Sequence, residues 1–178
     1  MKKTLQIIGL GLLIIIIFLM IRSGDSFRTA FTSGSLSSYW KEVGDIGPVK
    51  EIIDARLEKN GLNKTLAEYS IAAYVEEMLY RGPVLIFMLL LGTSKKWTEA
   101  LAWIPLFALS YYWATQHSYP AFYQAMILIG GLINGLCIIQ MKNKALGMIA
   151  AISLHGTANI VIISSLHYSD DIMIVLGR

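Results

Sequence analysis

The chain alternates long apolar runs with short polar breaks, on the length scale of whole helices rather than of strands. The first run, LQIIGLGLLIIIIFLMI after MKK, has no small-x-small cleavage site before RSGDS, so residues 1–24 are expected to form an uncleaved membrane anchor. Residues 25–64 are polar. SGDSFRTAFTSGSLSS reads as a loop, and GPVKEIIDARLEKNGL places Val49, Ile52, Ile53 and Leu57 at helical spacing, as in an amphipathic surface helix. Four more apolar runs follow, over roughly residues 66–92, 99–117, 121–140 and 145–166. Each is close to the ~20 residues that a helix needs to cross the hydrocarbon core. The pattern predicts an all-α, polytopic integral membrane protein with about five transmembrane helices, a core at 65–166 and a short tail at 167–178. The links TSKK, HSYPA and KNK are short, so successive helices should pack as antiparallel neighbours. Gly131 and Gly135, one turn apart, would let their helix approach another closely.

Composition agrees with a bilayer as the surrounding medium: 55 % of the 178 residues are hydrophobic and 15 % are charged. The net charge of +3 is small, and the basic residues sit at the ends of apolar runs, which argues against nucleic acid as a partner. A single cysteine, Cys137, excludes an internal disulfide and a cysteine-based zinc cluster. If five helices alternate, Lys2, Lys3, Lys95, Lys96, Lys142 and Lys144 share one side. The positive-inside rule makes that side cytoplasmic and puts the N-terminus there, with the protein in the cell membrane.

Against this background the polar residues inside the apolar runs stand out. An ionisable side chain at mid-bilayer costs about 2.5–3.5 kcal/mol, so Glu76, Glu77 and Arg81 within AAYVEEMLYRGPVLIF need partners or a task. His117 ends the run YYWATQH, and His155 and Asn159 lie in SLHGTANI. Glu77 and Arg81, Trp113 and His117, and His155 and Asn159 are each four apart, so each pair shares one helix face. Three polar faces that cannot favourably meet lipid should converge on one interior site. Glu76 and Glu77, as helix neighbours, point about 100° apart and should have different jobs. Glu77 stands one turn before Arg81 and suits an ionised, positioning role, although such a pair can equally lock helices together. Glu76 lacks that partner and is the candidate general base, with a histidine to orient water and with imidazole and carboxamide donors for an oxyanion. Attack of water on a peptide carbonyl fits these parts. His167 is off the face of His155 and reads as an interfacial side chain.

EEMLYRG, WATQH and HGTAN, in that order, resemble the EExxxR, FxxxH and HxxxN signatures of the CPBP (Abi) family, which comprises CAAX prenyl protease type 2 and bacteriocin-processing or immunity proteins. The likeness spans about residues 65–166 and includes the glycine-rich GLINGL before the last motif. It implies an intramembrane endopeptidase in which Glu76 activates water together with His117, while His155 and Asn159 stabilise the oxyanion and Glu77 and Arg81 support the site. Trp113 stands where the family has Phe, and only one apolar run precedes the motif core. The substrate expected is a peptide or protein in or at the membrane.

Cofactor chemistry has two forms. Glu76, His117 and His155 could make a two-histidine, one-carboxylate zinc site, and members of the family are often labelled metalloproteases. HExxH is absent, and Asn159 is a poor zinc ligand but a good donor, which favours a metal-free glutamate mechanism. Two other functions remain compatible with the same residues: a non-catalytic immunity or interaction protein, and a proton-coupled transporter.

Overall fold

Glycines and prolines decide where the helices stop. The computed structural model describes Leu13, residues 15–92 and residues 96–168, and among these every regular element is helical. Residues 15–22 form a helical stretch. It is followed by α1 (Gly24–Thr32), α2 (Leu36–Val43), α3 (Gly47–Asn60), α4 (Leu62–Tyr80), α5 (Gly82–Leu91), α6 (Lys96–Thr115), α7 (Ala121–Gln140) and α8 (Lys144–His167). Gly34 (φ 71°) and Gly61 (φ 72°) take the left-handed backbone that ends α1 and α3, a conformation that costs other residues energy. Pro48 and Pro83 sit in the first turns of α3 and α5, where the missing N–H is not needed. The start of the expected anchor, residues 1–12, and most of the expected tail, residues 169–178, lie outside the described residues, as do residues 93–95 of one link.

Two expectations change. The segment expected as a loop ahead of α3 contains the short helices α1 and α2, joined to the helical stretch 15–22 by a 2.6 Å hydrogen bond between the Ser23 and Tyr39 hydroxyls. The five spans are not supported: among the described residues two helices, α7 and α8, are long and apolar enough to cross a membrane. The run at 66–92 is broken at Arg81, because Pro83 cannot donate to the carbonyl of residue 79 and its ring clashes there. α5 alone, with ten residues, is about 15 Å long, half a hydrocarbon core. α6 has 20 residues, but Lys96, Thr98, Glu99 and Ser110 dilute its apolar character.

α8 packs along α4 and α7, α7 along α6, and α5 on α6, while α3 lies across α4 and α8. The core runs through Val84, Met88, Ala102, Leu106, Leu128 and Ile138, with Phe18 of the helical stretch 15–22 edge-on to Tyr111. A smaller cluster joins Val49 and Ile53 of α3 to Ile163 of α8. α7 and α8 form a tight antiparallel hairpin. Asn143 Oδ1 accepts from the N–H groups of Ala145 and Leu146, and the buried Lys144 Nζ donates to Ile139 O at 2.6 Å. Gly147 makes the hairpin possible, since a Cβ there would lie 2.6 Å from the Cys137 carbonyl oxygen. Gly131 and Gly135 face different neighbours, Arg81 and Leu106. Large apolar side chains, among them Ile71, Leu79, Leu90, Ile104, Ile149 and Val161, remain exposed around the outside.

Candidate functional site

The break after α4 turns Arg81 inward at the level where α4, α6, α7 and α8 meet, and the ionisable residues assemble around it. Glu77 and Arg81 are wholly buried. Glu77 Oε1 accepts from Asn134 Nδ2 of α7 and from His155 Nδ1 of α8, both at 2.9 Å. Glu77 Oε2 faces Arg81 Nε at 3.5 Å, an ion pair too long for a good hydrogen bond. Arg81 Nε also points at Gly131 O at 3.4 Å, and its guanidinium lies 4.3 Å over the Trp113 ring. One glutamate therefore joins three helices. The lock expected of Glu77 and Arg81 extends to two further partners, which supply the hydrogen bonds that a buried carboxylate needs.

Glu76 points elsewhere, as the helix geometry requires. Its side chain is 30 % exposed and lines a cavity of about 660 Å³. Trp113 Nε1 donates to Glu76 Oε2 at 3.1 Å, and His155 Nε2 stands 3.6 Å from the same oxygen. The second distance is too long for a direct hydrogen bond and suits a site shared with water. Because a carboxylate can only accept, His155 Nδ1 must carry a proton toward Glu77, which turns Nε2 toward Glu76 and the cavity. The His155 ring is edge-on to Trp113, with centroids 5.2 Å apart.

His117 reaches the same cavity from the turn after α6. Its Nδ1 is 3.0 Å from Trp113 O, a contact that requires Nδ1–H, and its ring is edge-on to Trp113 and near Tyr119. Burial holds the Tyr119 phenol above its usual range, so it faces the cavity as a neutral hydroxyl. Asn159, one turn beyond His155, also lines the cavity. Its Nδ2 donates one proton to Tyr69 O at 3.2 Å, and the amide keeps a second N–H for another acceptor. The rest of the wall is mostly apolar, from Ile46 ahead of α3 and Val49 and Ile53 of α3 to Leu154, Ile162 and Ile163 of α8, with Arg56 and Glu68 paired at 3.6 Å.

Of the six residues expected at the site, Glu76, Arg81, His117 and His155 contact Trp113, Glu77 joins them through Arg81 and His155, and Asn159 lines the same cavity. His155 stands beside Glu76, and His117 lines the same cavity. Among the described residues no group of three or more His, Cys, Asp or Glu side chains is placed to hold a metal ion. Sequence reasoning misses one participant, Asn134, and the role of another, Trp113. Asn134 sits in LINGL, where an amide in a long apolar run carries the same cost signal as His155, though nothing local assigns it to Glu77. Trp113, placed on the face of His117 by its spacing, also supplies a donor to Glu76. No family model, curated protein or solved structure matches the chain.

Proposed function

We propose that the protein is an intramembrane peptidase that hydrolyses a peptide bond of a membrane-associated substrate with water activated by Glu76. The observation that carries this reading is the pair of Glu76 Oε2 and His155 Nε2, 3.6 Å apart at the wall of a largely apolar cavity, each held from behind by a fixed donor or acceptor. A water between them donates one proton to each lone pair. As its oxygen bonds to the substrate carbonyl carbon, Glu76 takes the proton, and the second N–H of Asn159 is available to the oxyanion. When the C–N bond breaks, the protonated Glu76 returns that proton to the leaving amine. Glu77 keeps His155 in the tautomer that accepts from water. No step needs a metal ion, and the donor set favours none.

A bilayer location is supported by α7 and α8 and by the exposed apolar side chains. Only 22 % of the apolar stretch of α8 is covered by the rest of the protein, which leaves a large apolar surface facing outward. The order of EEMLYRG, WATQH and HGTAN supports membership of the CPBP family.

The test compares peptide termini in membranes and medium, by mass spectrometry, between cells making the wild type and Glu76→Gln at equal levels. Termini that depend on the carboxylate are expected, and the purified variant should lose about 10²–10⁴-fold in rate, the usual contribution of a general base. Identical termini in cells that contain the natural partners would overturn the enzymatic reading in favour of an immunity or interaction role. A rate abolished by a chelator and restored only by zinc would replace the metal-free mechanism with the zinc-dependent one.

A further inference from the structure

His117 is fixed at two points, and the second has no part in the chemistry above. Its ring is tied to Trp113 O, while its backbone is tied to α7: Gln124 Nε2 donates to His117 O at 2.5 Å. Gln124 is buried, and its other amide atom is engaged as well, since Oε1 accepts from Arg22 Nε at 3.0 Å. The two neighbours make opposite demands. A guanidinium only donates and a carbonyl only accepts, so the side chain between them must accept at one atom and donate at the other, which a carboxamide does and a carboxylate or ammonium does not. The turn's own bonds to α6 are weaker: Gln116 N to Trp113 O at 3.2 Å and His117 N to Ala114 O at 3.3 Å, both of the tight i to i−3 kind.

We infer that Gln124 is a positioning residue for His117, oriented by Arg22, so that the N-terminal helical stretch sets where the imidazole stands over the cavity. Its geometry is independent of the proposed hydrolysis, and its effect on turnover rests on that reading. Displacing Arg22 would free Gln124 Oε1 and loosen the turn, which makes the N-terminal helix a control element of the site.

The experiment uses the full chain in lipid nanodiscs with ¹⁵N-labelled histidine. There are three histidines, so His117→Gln assigns the imidazole of interest. Wild type should show His117 with Nδ1 protonated. Gln124→Glu keeps an acceptor for Arg22 and removes the donor to His117 O, and Gln124→Met, of similar size and neutral, removes both. In each the Nδ1–H signals should give way to the Nε2–H form, with His155 signals unchanged and the melting temperature within about 4 °C of wild type, the shift of roughly 1 kcal/mol. Arg22→Lys, still a donor, should keep the wild-type spectrum. An unchanged His117 spectrum, a change in Gln124→Glu alone, or a shift of all three histidines together would overturn the inference. If the wild type cleaves nothing, hydrolysis fails as a reading and the spectra still decide this one.

Discussion

Gly130 and Gly131 are adjacent in α7, yet alanine should have opposite effects at the two positions. A Cβ on Gly130 meets nothing within 4 Å, whereas a Cβ on Gly131 would lie 2.0 Å from Arg81 Nη2. To restore an ordinary contact of 3.4 Å, the guanidinium must retreat from 2.0 Å, by about 1.4 Å. It has little room, being wholly buried with Trp113 beneath it and Glu77 beside it. Both substitutions remove the entropic cost of a mid-helix glycine, about 0.5–1 kcal/mol, so that term cancels in the comparison. What remains is overpacking, about 1–3 kcal/mol. At about 2–4 °C per kcal/mol for a chain of this length, Gly131→Ala should melt about 2–12 °C below Gly130→Ala. Thermal unfolding of both purified variants in the same detergent, followed by near-ultraviolet circular dichroism of the tryptophans, reads the difference. The shift should also reach the site, because Arg81 supports the ring that donates to Glu76. Equal melting temperatures would refute the close approach of Gly131 to Arg81, and with it the packing on which the site is built.

Further outcomes follow from the same contacts. Glu77→Gln leaves the Arg81 charge buried without its counter-ion and should destabilise the fold by about 3–5 kcal/mol in the same assay, whereas the half-open Glu76→Gln should melt close to wild type. Trp113→Phe keeps a ring under Arg81 and removes the N–H on Glu76. Without that donor Glu76 is free to turn away from His155, so peptide hydrolysis should slow by about tenfold with folding intact, and an unaltered rate would remove Trp113 from the positioning of the base. Gly147→Ala places a methyl 2.6 Å from a backbone oxygen, which no side-chain movement can relieve, while Gly156→Ala meets nothing within 4 Å. The first should lower the melting temperature and the second should not.

Much of the candidate site was legible because an apolar surround makes polar residues expensive. Glu76, Glu77, Arg81, His155 and Asn159 were recognisable from that cost, and the 100° between adjacent helix positions separated the roles of the two glutamates before any contact was known. The turn chemistry of Pro83 is also local, but the apolar run through residues 66–92 masked it, and length alone made one span of what is two helices. The expected loop before α3 shows the same limit in reverse, since Ser and Gly residues read as breaks although α1 and α2 form around Gly34.

Sequence by itself determined the helical character, the positions of the costly polar groups and the fact that Glu76 and Glu77 must face different surroundings, because all three follow from composition and from a period of 3.6 residues. Tertiary structure alone decided which partner each group meets. His155 lies 78 residues from Glu77 along the chain, Asn134 lies 57, and Arg22 lies 102 from Gln124. Nothing in local spacing sets those encounters. They depend on how closely α7 approaches Arg81 through Gly131 and α8 through Gly147, and it is these contacts between helices that give His155, and not His117, the place beside the candidate base.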